Sequence, residues 1–254
     1  MKKIFLTLFS IGCIACIPTK QSTIDITLQT KVDSILQNKM SEIGAISGQA
    51  IVMDMIGNIK AMVGNGKKQS SSLMRAVSIH KALETGKITL SDTIDTGNGV
   101  LVFNDDTIFD HNWHRGGYGK ITLKKALACE SEIAVRKALQ IAGIEAVDSL
   151  VTPLEMLKLF NGIIKNDSLK STFRYCVTDA LGKPASSEKV EVAGLSGRRI
   201  ILQENPEYAV EFIGYFPADA PKFSIIVSMN KIGFPASGGF MAGSVFKDIV
   251  ESIK

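Results

Sequence analysis

Residues 209–229 read AVEFIGYFPADAPKFSIIVSM, which is two apolar runs separated by a short connection that contains Pro, Asp and Lys. The first run covers 209–216 and the second covers 223–229, and both are rich in β-branched and aromatic residues. Short apolar runs that are bounded by Pro and Asp are typical of buried strands. We therefore predict that this stretch forms two strands of an antiparallel sheet.

Similar patterns lie on both sides of this stretch. Further strands are predicted at 24–28, 47–55, 59–63, 190–193 and 198–202. Helices are predicted at 29–43, 70–85, 123–142 and 244–253, and another begins at Thr152-Pro153, with Pro at its first position. This order indicates an α+β fold, in which the terminal helices cover one face of an antiparallel sheet and a helical lobe is inserted in the middle of the chain.

The composition is that of a globular protein. The chain has 254 residues, of which 45% are hydrophobic and 21% are charged. Lys and Arg number 29 against 25 Asp and Glu, and the resulting net charge of +4 is spread along the chain, so we expect no nucleic-acid partner. His111 and His114 flank Asn112-Trp113 without an evident third ligand, so we expect no metal site and no cofactor.

The first residues carry an export pattern. Lys2 and Lys3 precede an apolar run at 4–17, which as a helix is about 21 Å long and too short to span a bilayer. Cys13 and Cys16 each follow a small residue at the end of this run. We predict a lipoprotein-type signal over 1–16 with a lipid on Cys16 (or Cys13), a tether over 17–23, and a domain over 24–254. The mature protein is then anchored in the cell envelope on the periplasmic side, and an ordinary cleaved signal peptide is the alternative.

A series of short motifs follows the predicted elements along the chain. They are IDITLQ (24–29), GQAIVMD (48–54), ALETGKI (82–88), DTG (95–97), DHN (110–112), GYGKITL (117–123), VTPL (151–154), FIGYFPAD (212–219) and VFK (245–247). In this order they resemble a penicillin-binding protein transpeptidase domain, a member of the serine acyl-transferase and β-lactamase-like superfamily. The resemblance extends from about residue 24 to the C-terminus. It implies an ancestry of serine acyl transfer on peptidoglycan, with β-lactams as covalent mimics of the substrate.

That family works through three motifs, S-x-x-K, S-x-N and K-T-G. Aligning the flanking residues places the nucleophile at Ser72 and the Lys position at Arg75, which cannot act as a base because Arg keeps its proton in proteins. The interval between the second and third motifs is short for the family, which implies a truncated and reduced helical lobe. Those two motifs fall on Glu130-Ser131-Glu132 and on Leu195-Ser196-Gly197, so both Lys residues and the Asn are replaced.

Two replacements in these motifs predict new contacts. If the fold is kept, Arg75 lies near Glu130, and we expect a buried ion pair because a buried Arg without a partner is costly. Arg198 directly follows the K-T-G position, where a cation could bind a ligand carboxylate. A solvated charge on an edge strand is the alternative for Arg198.

These observations predict a non-catalytic, penicillin-binding-protein-like lipoprotein, whose partner is a peptidoglycan stem peptide or a cell-wall synthesis protein. Two alternatives remain open. One is an active acyl-serine transpeptidase or carboxypeptidase that binds penicillin through Ser72, and the other is a β-lactam-sensing or envelope-scaffold domain. Cys129 and Cys176 are predicted to be small buried residues rather than a disulfide pair.

Overall fold

The structure is a computed structural model that describes residues 22–103 and 106–253. The predicted signal at 1–16 and nearly all of the predicted tether at 17–23 lie outside these residues. In chain order the elements are α1 (Ile26–Ile43), β1 (Ala45–Asp54), β2 (Ile59–Gly64), β3 (Gln69–Ser70), α2 (Met74–Glu84), β4 (Thr93–Asp95), β5 (Val100–Phe103), β6 (Asp106–Phe109), β7 (Lys120–Thr122), α3 (Leu123–Ala128), α4 (Glu132–Ala142), β8 (Leu150–Val151), α5 (Pro153–Ile163), α6 (Asp167–Asp179), β9 (Ala193–Leu202), β10 (Glu207–Phe216), β11 (Phe223–Ile232) and α7 (Gly243–Ser252).

The centre of the fold is a five-stranded antiparallel sheet in the order β2-β1-β11-β10-β9. The two strands predicted from 209–229 are β10 and β11, which pair over their full length from Glu207↔Ile232 to Phe216↔Phe223. The strand predicted at 198–202 is part of a longer edge strand, β9, which begins at Ala193, so the strand predicted at 190–193 contributes only its last residue to it. The separate prediction was wrong because Gly194 and Gly197 interrupt the apolar run in sequence but not the ladder of backbone hydrogen bonds.

Side chains along the central strands alternate between two cores, as the period of a strand requires. Ile51 and Ile226 face the helical lobe, whereas Ala50 and Ile225 face the terminal helices α1 and α7. Both faces of the sheet are therefore covered, which confirms the predicted α+β arrangement. Within the described residues, no helix is both long and apolar enough to cross a membrane.

The first helix begins earlier than predicted, and the strand expected at 24–28 does not form. Asp25 is the N-cap of α1, and its side chain accepts a hydrogen bond from the Leu28 amide at 3.0 Å. The alternation in Ile24-Asp25-Ile26 imitates a strand, but a side chain that satisfies a first-turn amide favours the helix.

The helical lobe differs from the prediction in three places. The helix expected at 70–85 begins only at Met74, because Gln69 and Ser70 pair with β8. The helix expected at 123–142 is broken into α3 and α4, with Glu130 between them in the left-handed region at φ 58°. The third difference is α6, which the sequence patterns did not predict. Thr152 does cap α5, with Pro153 in its first turn, as expected.

Candidate active site

Ser72 lies in the turn before α2, between the helical lobe and the edge strand β9. Its Oγ is buried and has no hydrogen-bond partner among the described residues. The backbone of Gly197 on β9 packs directly on this hydroxyl, so that a Cβ at position 197 would collide with Ser72 Oγ. Ser72 Oγ thus lies beside the strand, and no base among the described residues is bonded to it.

The Arg75 side chain is 6% exposed and points back toward the turn that carries Ser72. Its guanidinium donates to three backbone carbonyls: Nη1 to Ser72 O at 2.8 Å, Nη2 to Ser196 O at 2.5 Å, and Nε to Leu127 O at 3.4 Å. These bonds connect α2, the end of α3 and β9. Arg75 therefore acts as a fixed cross-link in this structure, at the position that the sequence alignment predicts for the Lys of S-x-x-K.

The expected ion pair between Arg75 and Glu130 is not formed. Glu130 instead accepts a hydrogen bond from the Ser196 hydroxyl at 2.6 Å, while Arg75 takes the carbonyl of the same residue. The prediction failed because backbone carbonyls within reach satisfy the guanidinium, so it needs no adjacent carboxylate. Ser196 is the bridge between the two side chains.

Ser131 and Leu195 align with motif positions, but both side chains are buried in the protein interior. Ser131 is buried and caps α4, accepting from the Ala134 amide and donating to Asp110 Oδ2 at 2.8 Å. Leu195 lies fully in the core between the sheet and the lobe. Glu132, in contrast, is exposed at the start of α4.

Arg198 is half-buried on β9 rather than freely solvated. Its Nη1 donates to Ala236 O at 3.4 Å, and its guanidinium lies 5.7 Å from the centre of the Phe234 ring. The neighbouring Arg199 is 3.5 Å from Asp148. These contacts hold Arg198 at the rim of the site and leave part of its guanidinium open to a ligand.

These residues surround a cleft of about 470 Å³ between β9, the α3–α4 break and the β5–β6 hairpin. It contains three Arg side chains and two Glu side chains, and its floor is the Ser72 turn. Its lining is Ser72, Arg75, Thr107, Phe109, His111, Glu130, Glu132, Arg198, Arg199, Ile200 and Gln203. The structure thus brings Ser72, Arg75, Glu130, Glu132 and Arg198 together in one cleft, with Ser196 and Gly197 against its floor.

A buried polar cluster behind the cleft was missed by the sequence interpretation. Glu211 on β10 is fully enclosed, and it accepts from Ser71 Oγ at 2.6 Å and from Ser228 Oγ at 3.1 Å. Burial raises the pKa of Glu211 to about 7, against the lowering effect of both hydroxyls and of the Arg75 charge. The sequence contains one indication of this cluster, because Glu211 is the single carboxylate within the apolar run 209–216.

Asp110, directly after β6, carries a second enclosed carboxylate. Asp110 is completely buried and accepts from the Ser131 hydroxyl and from the Ile133 amide at 3.2 Å. Burial raises the pKa of the Asp110 carboxyl. The carboxylate is held there because it satisfies an amide at the N-terminus of α4, where negative charge is favoured.

His111 is the one imidazole in the cleft lining, and it contacts Tyr118 rather than Ser72. The Tyr118 hydroxyl is 3.2 Å from His111 Nδ1 and donates to Cys129 O at 3.1 Å. Burial lowers the pKa of His111. Across residues 22–103 and 106–253, no group of three or more His, Cys, Asp and Glu side chains could hold a metal ion, and neither Cys129 nor Cys176 forms a disulfide.

A scan against protein-family models finds no match, and a search of curated proteins finds none either. Solved structures do match over 91% of this chain. One is described as a peptidoglycan glycosyltransferase from Burkholderia ambifaria, with a TM-score of 0.78, 17% identity and 96% of that chain covered. Another is the transpeptidase domain of Burkholderia pseudomallei penicillin-binding protein 3, with a TM-score of 0.77, 16% identity and 95% covered.

A third match is the transpeptidase domain of the FtsI4 D,D-transpeptidase from Legionella pneumophila, with a TM-score of 0.67, 19% identity and 97% of that chain covered. Identities this low support a shared fold and leave the activity open. The chain has the fold of a penicillin-binding protein transpeptidase domain.

Proposed function

We propose that this protein is a non-catalytic, penicillin-binding-protein-like domain that binds peptidoglycan stem peptides in the cleft above Ser72. The proposal rests on the hydrogen bonds that the Arg75 side chain makes. Its guanidinium donates hydrogen bonds to three backbone carbonyls, and Ser72 Oγ has no bonded base in the part of the chain that the structure describes. A serine hydroxyl is a weak nucleophile until a neighbouring base takes its proton, and an arginine cannot do so.

The cleft nevertheless keeps features that suit a peptide with a free carboxylate. Arg198 and Arg199 lie on the edge strand β9, where a guanidinium can hold a carboxylate with two parallel hydrogen bonds. The small Gly197 leaves the strand backbone in contact with the Ser72 turn. These features support recognition of a stem peptide over recognition of a cell-wall synthesis protein, because the cleft is only about 470 Å³ in volume.

The first expected result combines labelling and binding. Purified protein incubated with a fluorescent penicillin should give no labelled band on a denaturing gel, while the same protein should sediment with purified peptidoglycan sacculi. Arg198→Ala should weaken sedimentation by about tenfold, since a charge-assisted contact is lost. Lys67→Ala, an exposed change outside the cleft, is the matched control.

Labelling that is stoichiometric and lost in Ser72→Ala would contradict the proposal and favour an active acyl-serine enzyme. Arg75→Lys is informative here as well. We expect no labelling from it, because Glu132 and Leu195 still occupy the positions of the motif Asn and Lys. A protein that neither labels nor sediments would favour the sensing or scaffold alternative.

We also propose that the domain is held at the periplasmic side of the cell envelope by a lipid on Cys16 or Cys13. The support is the basic and then apolar start of the sequence. Changing both cysteines to Ser should move the protein from the membrane fraction to the soluble fraction, or leave its signal uncleaved. Mass spectrometry that finds an unmodified N-terminus beyond residue 17 would rule out the anchor.

A further inference from the structure

Two aromatic side chains stand exposed beside the cleft, at the end of β6 and in the loop that follows it. Phe109 is 51% exposed and Trp113 is 50% exposed, and their ring centres are 5.5 Å apart. Phe109 also lines the cleft itself. We call this pair the aromatic platform. The hydrogen bonds described above around Ser72 and Arg75 do not involve either ring.

Buried groups hold the aromatic platform in place. Asp110, between the two aromatics, is anchored to the N-terminus of α4 by the Ser131 hydroxyl and the Ile133 amide. The Trp113 amide donates to Asp110 O at 3.0 Å, and Phe109 pairs with Val100 across the β5–β6 hairpin. The buried carboxylate thus fixes the backbone from which both exposed rings project.

Two glycines allow the chain to pack closely under Trp113. Gly99 and Gly117 have φ values of 83° and 71°, in the region that other residues rarely adopt. A Cβ on Gly99 would lie 2.9 Å from Trp113 Cα, and one on Gly117 would collide with the backbone of Asn98 and Gly99. The backbones of these segments are therefore in direct contact, which fixes the position of the Trp113 backbone.

The surroundings of the aromatic platform are polar. Thr107 and Gln203 line the cleft near Phe109, and the His114 ring lies edge-on to Trp113 at 6.2 Å. An N-acetylated pyranose ring suits an aromatic surface with polar neighbours. One face of the sugar presents C–H groups to an aromatic ring, while its edges present hydroxyl and amide groups to the polar side chains. An aliphatic or lipid ligand would leave those polar groups without partners.

We propose that the aromatic platform of Phe109 and Trp113 binds the N-acetylated sugar units of a peptidoglycan glycan strand. The inference rests on the proposed function, because a stem peptide in the cleft carries its glycan strand on the same molecule. Phe109 belongs to both surfaces, so that sugar on the platform and peptide above Ser72 can be bound together. Stacking supplies affinity, and the preformed geometry lowers the cost of ordering.

Trp113 is the single Trp of the chain, so its fluorescence reports on the platform directly. Titration with the linear tetramer of N-acetylglucosamine, which carries no peptide, should change this fluorescence in a saturable way. A stem pentapeptide without sugar should leave it unchanged. Phe109→Leu, which keeps an apolar side chain but removes the flat ring, should weaken tetramer binding by about tenfold. Phe240→Leu, at an exposed Phe outside the cleft lining, should bind like the unchanged protein.

The proposal is overturned if the tetramer gives no saturable change in the folded protein, or if Phe109→Leu binds it as well as Phe240→Leu does. A fluorescence change with anionic phospholipid vesicles but not with the tetramer would also overturn it and indicate a membrane contact. The two proposals can fail separately. Sacculus binding that survives Phe109→Leu, without tetramer binding, removes only the platform. Tetramer binding without any effect of Arg198→Ala on sacculus sedimentation removes only the stem-peptide site.

Discussion

Glu211→Gln should flatten the dependence of stability on pH. In the unchanged protein, burial raises the pKa of Glu211 from its ordinary 4.5 to about 7 in the folded state. Between these two values the folded chain holds a proton that the unfolded chain has released. The free energy of unfolding therefore falls as pH rises through this window, by about 3 kcal/mol in total, and stays low at higher pH. The glutamine cannot ionise, so this fall should disappear.

Urea denaturation at a series of pH values from about 4.5 to about 8 measures this effect. Glu204→Gln is the matched control, because Glu204 is exposed in the turn before β10 and its replacement should preserve the fall. The hydroxyls of Ser71 and Ser228 can still bond to a glutamine, so Glu211→Gln should fold. If Glu211→Gln lost stability with pH as steeply as Glu204→Gln, the carboxylate would not titrate in this range.

Glu211 shows why the cleft was easier to predict than the layer beneath it. The motif positions follow from an alignment of short flanking sequences, and four of them line one cleft together with Arg198. Glu211 is the single charged residue in the apolar run AVEFIGYF, and such a run does not by itself show whether that position faces solvent or the core. Only the structure shows that helices cover both faces of this sheet, so that the polar position is enclosed.

The break between α3 and α4 has a similar explanation. Apolar residues continue at helical spacing from Leu123 to Leu139, so periodicity alone predicts one long helix. The backbone at Glu130 has a left-handed conformation, which Glu rarely adopts. The residue types in this stretch do not predict that conformation. Ser131 followed by Glu132 was the available signal, because Ser is a preferred N-cap and acidic residues favour the first turn of a helix. Tertiary contacts to Asp110 then fix the break.

The replacement Arg75→Met tests the cross-link and its charge together. Three backbone carbonyls, on Ser72, Leu127 and Ser196, would lose their guanidinium donors inside the protein. We expect the free energy of unfolding to fall by about 2–4 kcal/mol, even though methionine fills much of the volume. The Arg75 charge also lowers the pKa of Glu211. Without it, the pH range over which stability falls should extend to higher pH, while its lower edge stays at the ordinary pKa of the unfolded chain.

Arg75→Lys separates the two effects. A lysine keeps the positive charge but offers one nitrogen on a flexible stem, which cannot span three carbonyls as the planar guanidinium does. It should therefore lose stability, while the pH window set by Glu211 stays close to that of the unchanged protein. Denaturation of Arg75→Met, Arg75→Lys and Glu211→Gln at the same series of pH values decides between these outcomes. If Arg75→Met kept both the stability and the pH window of the unchanged protein, the guanidinium would neither connect α2 to β9 nor act on the carboxylate behind it, and the argument for a fixed, non-catalytic Arg75 would fail.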